Sequence, residues 1–217
     1  MKTTIKEINN IAEDNYIIRL DVPENYHWIP GQFLKISLPN LTKDSRIFSI
    51  ASNEDENEIL MATKSRGQDI SDFKKLLFSL TKTDEVEISP AAGRFNLRDD
   101  TTPIIMYASG IGITPIFALL KAIKSNQKVE VVYASYGYYV FQEEIDAIVK
   151  EKQNITVTYT REIDETTHKL EDLCRQYGNS AYYYTSGSPV VIKTVEGNYM
   201  NWGIDKDRLV SDSFVGY

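Results

Sequence analysis

Short apolar segments bounded by turn residues recur through the first hundred positions: Thr3 to Ile8, Tyr16 to Val22, Gln32 to Leu38, Arg46 to Ile50, Ile59 to Thr63 and Glu85 to Ser89. Their spacing, with turn-rich PEN, PG, PN, NEDEN and PAAG between them, predicts a small antiparallel barrel or sandwich. One stretch keeps a different period. Phe73, Leu76, Leu77 and Leu80 recur at helical spacing, so Ile70 to Leu80 reads as a lone helix with Ser71 able to cap its start. Following Gly67, that start is receptive to an anion. After Leu97 the polar run RDDTTP marks a boundary, beyond which strand and helix patterns alternate. Strands are predicted at Pro103 to Tyr107, Val129 to Tyr133, Ile155 to Tyr159 and Ala181 to Thr185, with helices near 115–124, 141–152, 168–177 and 189–201. The fold class is thus β plus α/β: an antiparallel barrel or sandwich over residues 1–99, then a mostly parallel α/β domain over 100–217.

The stretch from Pro103 to Ile123 carries the clearest chemistry. Ile104 to Tyr107 is apolar without alternation, as in a strand covered on both faces. A glycine turn follows, then Thr114 and Pro115, expected at the N-cap and N1 of a helix whose Ile116, Leu119, Leu120 and Ile123 face the sheet. Free N–H groups and the helix dipole converge there, which suits a phosphate. The turn departs from the usual dinucleotide fingerprint: Pro115 stands where a third glycine is expected, and no acidic residue ends the next strand, at Ala134 and Ser135. A plain strand-to-helix turn stays open on this stretch alone. Thr185-Ser186-Gly187-Ser188-Pro189 repeats the theme, with a serine N-cap and proline at N1.

Composition narrows the classes. A net charge of −7 spread over 217 residues speaks against nucleic acid as a partner. The single cysteine, Cys174, excludes intrachain disulfides, Cys-ligated zinc and a fused iron–sulfur cluster, and its helical neighbours Leu170, Leu173 and Tyr177 make it a core residue. With His27 and His168 the only histidines, no metal site is expected. The N-terminal MKTTIKEINNIAEDNY lacks the apolar core of a signal peptide, and no run reaches membrane-spanning length, so the expected location is cytoplasmic.

Arg46-Ile47-Phe48-Ser49 resembles the flavin-binding strand of the ferredoxin–NADP reductase superfamily. The likeness runs through GQF at Gly31 to Phe33, GxxxS at Gly67 to Ser71, GRFNL at Gly93 to Leu97, the ASGIGITP turn and the SGSP turn, in the family's order over nearly the whole chain. The resemblance implies that the first domain is an antiparallel FAD-binding β-barrel and that the α/β domain takes NAD(P)H as cosubstrate. Arg46 would pair with a flavin phosphate, Phe48 would lie against the isoalloxazine, and Ser49 would hydrogen-bond near flavin N5. Gly67 and Ser71 would receive the pyrophosphate, with Ile47, Thr63 and Ile70 completing the flavin contacts. Gly110, Gly112 and Thr114 would admit the NAD(P)H pyrophosphate, and Gly187 and Ser188 would sit near the nicotinamide. Ser186 occupies the place of a common family cysteine close to the hydride-bearing carbon.

Relatives using NADPH often carry Thr160-Arg161-like residues for the 2′-phosphate, whereas Glu162 and Asp164 would repel it. The balance leans slightly to NADPH, with NADH open. Tyr136, Tyr138 and Tyr139 either flank an adenine or form a surface loop. Phe214, in preference to Tyr217, matches the C-terminal aromatic that lies beside the flavin in relatives, the alternative being an edge strand. The implied reaction is hydride transfer from NADPH or NADH to FAD and release of electrons to a separate redox acceptor, protein or small molecule. Two alternatives stay open: a reductase of free flavin, near the flavin reductase branch, and an electron-transfer or regulatory subunit without independent turnover.

Overall fold

The computed structural model describes residues 1–39, 41, 44–65 and 70–213. They form two compact units, one up to Asn96 and one from Leu97 onward. In the first, six antiparallel strands, β1 (Lys2–Ala12), β2 (Asn15–Leu20), β3 (Phe33–Ser37), β4 (Ser45–Ser49), β5 (Ile59–Lys64) and β6 (Glu85–Ile88), take the order β4-β3-β6-β1-β2-β5. Period-two burial sets the register: Leu34 and Ile36 turn inward around exposed Lys35, and Val86 and Ile88 around exposed Glu85 and Glu87. Just past the ends of the ladder the Ala51 N–H donates to the Leu60 carbonyl at 2.7 Å and the Leu60 N–H to Ser52 Oγ at 3.0 Å, so the edge strands β4 and β5 meet and the sheet rolls into a barrel. Helix α1 (Asp72–Ser79) packs Phe73 and Leu77, both fully buried, against the barrel core of Ile18, Leu20, Leu34, Ile36, Ile59 and Met61.

The second unit is a five-stranded parallel sheet, β7 (Ile104–Ser109), β8 (Val129–Ala134), β9 (Ile155–Thr160), β10 (Tyr182–Gly187) and β11 (Leu209–Ser213), in the order β11-β10-β7-β8-β9. The order reverses between β7 and β10. This is the topological switch point at which open α/β sheets hold ligands, at the carboxyl ends of the strands. The connecting helices are α2 (Ile113–Ala122), α3 (Gln142–Glu151), α4 (Ile163–Tyr177) and α5 (Pro189–Asn201). Every residue of α2 from Ile113 to Leu120 is buried, which makes it the central helix of the unit. Lys152 closes its C-terminal end, donating to the carbonyls of Lys121 at 2.7 Å and Ile123 at 2.8 Å.

Two expected boundaries move. Helix α4 begins at Ile163 rather than near 168, its buried stripe running Thr166, Leu170, Leu173 and Cys174 so that polar residues of the first turns lie on the solvent face. Strand β11 begins at Leu209, ahead of the tail for which an edge strand was the alternative; it pairs parallel with β10 at the sheet edge, Tyr184 opposite Val210, and takes in Asp212 and Ser213. No described helix is long and apolar enough to cross a membrane.

Candidate functional site

In the parallel-sheet unit the two glycine turns predicted from sequence emerge side by side, since β7 and β10 are paired with Ala108 opposite Ser186. They interlock. A Cβ on Gly112 would lie 2.3 Å from the carbonyl oxygen of Ser186, so only glycine fits this backbone contact, and one on Gly187 would lie 3.1 Å from Ser109 Cβ, a tight approach that a small shift could relieve. Ser188 caps α5, its Oγ accepting from the Val191 N–H at 3.4 Å with Pro189 at the first helical position.

The other turn is built differently from expectation. Gly110 to Gly112 form a short 3₁₀ turn, and Gly112, not Thr114, is the N-cap of α2, so Pro115 stands third in the helix rather than at N1, still among the residues whose N–H needs no helical partner. Thr114 is fully buried and its hydroxyl donates to the Ile111 carbonyl at 2.8 Å, so its side chain is committed to the turn and has no free donor for a phosphate. The anion-receptive groups here are backbone N–H groups.

Ser186 is 0% exposed and, among the described residues, its hydroxyl has no hydrogen-bond partner. Buried hydroxyls are ordinarily paired, so an orphan at the end of β10 marks a place where polar contact is still to be made.

Farther along the same edge, Thr160 is 1% exposed and its Oγ1 lies 2.7 Å from Thr166 Oγ1, which in turn donates to the Glu162 carbonyl at 2.8 Å. Its hydroxyl is thereby spent inside the fold, contrary to a phosphate-binding role. Arg161 is exposed, its guanidinium 5.3 Å above the ring of Tyr139, with Nη1 donating to the Gly137 carbonyl at 3.4 Å. Tyr139 is buried, its hydroxyl donates to the Thr160 carbonyl at 2.8 Å, and its ring packs edge-on to Tyr133 and Tyr159. Burial pushes its phenol above the ordinary range, despite the opposing Arg161 charge. Tyr136 and Tyr138 are exposed. Cys174 is buried in the core cluster, which pushes its thiol up to about 12.

In the barrel unit, Arg46 and the start of α1 come together through Phe73, which also belongs to the apolar face of that helix. The Arg46 guanidinium lies 5.5 Å from the ring centroid of Phe73, the second residue of α1, and Ser71 caps that helix by accepting from the Lys74 N–H at 3.4 Å. A cationic fork and a helix N-terminus therefore share one corner of the barrel. Arg46 is ion-paired there with Asp44. Phe48 points inward, 5% exposed and 6.3 Å from Phe73, so it is a barrel-core ring rather than an open platform. Ser49 and Thr63 are buried at 3% and 5% exposure, while Ile47 is 42% exposed and Ile70 half-buried. Gly67, Phe214 and Tyr217 lie outside the described residues. His27 reaches Glu54 at 2.5 Å on the surface.

The architecture matches that of solved structures. The ferredoxin NADP+ reductase from Neisseria gonorrhoeae, solved with bound FAD and NADP, superposes with a TM-score of 0.86 at 14% identity, covering 99% of this chain and 98% of that one. The Amycolatopsis cytochrome P450 reductase superposes with a TM-score of 0.86 at 18% identity over 100% of this chain and 70% of that one. The chain has the ferredoxin–NADP reductase fold. No protein-family model matches it. Among curated proteins, this reductase-fold chain is 22% identical over 202 residues to the toluate 1,2-dioxygenase electron transfer component of Pseudomonas putida, covering 87% of this chain and 59% of that protein. It is 30% identical over 136 residues to a probable dihydroorotate dehydrogenase B (NAD(+)) electron transfer subunit of Pyrococcus horikoshii, covering 63% of this chain and 49% of that protein. The chain thus spans about half of the length of the curated relatives it matches.

Proposed function

We propose that this chain is an NAD(P)H-dependent flavoprotein reductase that takes hydride from the nicotinamide onto FAD and passes the electrons to a separate acceptor. The observation that carries the reading is the interlocked pair of glycine turns at the switch point of the parallel sheet, where Gly112 meets the Ser186 carbonyl too closely for any side chain. FAD, when bound, supplies the N5 atom that accepts hydride. The chain's own residues bind and orient. Backbone N–H groups at Gly110 to Gly112 and at Ser188 receive the dinucleotide pyrophosphate without desolvating a charged side chain. The orphaned Ser186 hydroxyl is available to hydrogen-bond the nicotinamide side of the nucleotide, which fits the group. Arg46 and the α1 N-terminus together fit the flavin phosphates, and Ser49 holds the ring edge. No acid–base pair is required of the protein, whose work is to align two rings and exclude water.

Relatives named as electron transfer components support an acceptor carried on another polypeptide or domain. The test is stopped-flow mixing of the purified chain, supplied with FAD, with NADH and with NADPH. Rapid bleaching of the flavin by one of them is expected. A chain that stays colourless with added FAD, and bleaches no flavin with either nucleotide, overturns the reading.

A second reading, in which free flavin is a substrate, is favoured by the Asp44–Arg46 ion pair and by the inward position of Phe48, both of which weaken the hold on flavin. It predicts a chain purified without flavin that consumes it at catalytic rates.

A further inference from the structure

We infer that the nucleotide of this chain is NADH, selected against NADPH by the carboxylates at the start of α4; the inference rests on the dinucleotide site proposed above. With a pyrophosphate at the turns after β7 and β10 and the nicotinamide toward Gly187 and Ser188, the adenosine must run the other way along the sheet edge, past β8 toward β9. Neighbouring strands lie about 4.8 Å apart, which puts the end of β9 about 10 Å from that of β7, within reach of an adenosine ribose. The residues waiting there are Thr160 to Glu165.

A 2′-phosphate needs free donors and net positive charge. The stretch offers one exposed guanidinium against three carboxylates. The Thr160 hydroxyl is buried and bonded to Thr166. The single cation, Arg161, is laid over Tyr139 and directed at the Tyr136 and Gly137 carbonyls. Against it stand Glu162, Asp164 and Glu165, the last two within the first turn of α4, where they already answer the helix dipole. Glu165 takes the place an anion would claim: its Oε2 accepts from the Arg161 N–H at 3.4 Å. Glu162, the N-cap residue, makes no side-chain cap bond, and its carboxylate has no partner among the described residues. An unpaired acidic acceptor suits ribose hydroxyls, the role an acidic residue plays in dinucleotide sites that reject the 2′-phosphate. The slight lean to NADPH drawn from Thr160-Arg161 in the sequence is thereby reversed.

The test is calorimetric titration of the whole chain with 5′-ADP and with 2′,5′-ADP, at low and high ionic strength, alongside NADH and NADPH reduction rates. ADP should bind roughly tenfold or more tightly than its 2′-phosphorylated form, because like charges at a binding surface are strongly unfavourable. Salt should narrow the gap, since exposed charges are screened. Glu162→Gln should weaken ADP several-fold with an unchanged melting temperature, and Asp164→Asn with Glu165→Gln should tighten 2′,5′-ADP while leaving ADP nearly unchanged. Equal or tighter binding of 2′,5′-ADP by the parent chain, or a ratio indifferent to all three substitutions, overturns the inference while leaving the reductase reading intact. Binding of neither nucleotide overturns both.

Discussion

On the proposed reading the two units would hold a phosphate in opposite ways. On the parallel sheet the receptive surface is backbone: two turns locked at the Gly112–Ser186 contact, with the Thr114 hydroxyl folded inward to shape one of them. On the barrel it is side chain: a guanidinium over Phe73, a serine cap, and Asp44 already paired with the arginine. A seat made of backbone is as rigid as the fold and tolerates no added atom. A seat made of side chains can be competed for, and its affinity can be tuned by one neighbouring residue. On the proposed reading, that contrast suits a nucleotide that comes and goes at a fixed place and a flavin whose retention is adjustable.

Substitution at the two seats should separate them. The largest effect is expected from Gly112→Ala, which forces a Cβ against the Ser186 carbonyl; about 2–3 kcal/mol of stability should be lost in denaturant melts, with dinucleotide binding abolished. Parent-like binding by this variant would break the comparison at its firmer end. Next, Arg46→Ala should raise the flavin dissociation constant roughly 10- to 100-fold, the range of a lost charge-assisted bond. Asp44→Asn should lower that constant several-fold, both measured by flavin fluorescence quenching. Weaker binding by the Asp44 variant would show that the aspartate orients the arginine instead of competing for it.

Removing the α5 cap with Ser188→Ala should cost about 1 kcal/mol in thermal or denaturant unfolding. Smaller still and opposite in sign, Gly197→Ala should stabilise by about 0.5–1 kcal/mol, because this glycine lies in mid-helix with nothing within 4 Å of an added Cβ. Destabilisation there would mean that glycine is needed beyond the turns.

The smallest effect concerns the polar turn leading into β7, again built from a side chain. Asp99 accepts from the Thr102 N–H at 2.7 Å and the Thr101 N–H at 2.9 Å, and these bonds, Thr102 first, hold its carboxyl below the ordinary range. A carboxyl that binds its proton more weakly when folded stabilises the fold above the unfolded value of about 3.9, and this contribution disappears as pH falls through the lower folded value. Denaturation midpoints between about pH 6 and pH 3 should therefore fall less steeply in Asp99→Asn than in the parent. Identical slopes would remove Asp99 from the account.

Much of this was legible in the chain because it rests on period and punctuation. The six barrel strands follow from alternation and turn residues, and the Ser188-Pro189 and Ser71 helix starts follow from cap chemistry, since each is set by residues adjacent in sequence. What was not legible depends on partners distant in sequence or on competing bonds. Thr114 reads as a cap until the Ile111 carbonyl claims its hydroxyl, and Thr160 reads as a ligand until Thr166, on the following helix, takes it. Phe48 and Tyr139 carry the right chemistry for ring contacts, yet only packing reveals that both face inward. Phe73 was visible as part of an apolar stripe, but nothing in its spacing announces the guanidinium above it. Strand β11 is short and mixed in character, and its identity comes from pairing with β10.

The contact between Gly112 and the Ser186 carbonyl also constrains how this unit can be rebuilt. Because neither turn has slack toward the other, grafting a foreign segment at Ser109 to Thr114 alone would bring its Cβ atoms against an unmatched partner. Chimeras that exchange the first turn together with Ser186 to Ser188 keep the pair matched, so the unit of transplantation is a discontinuous module joining two loops that are far apart in the chain.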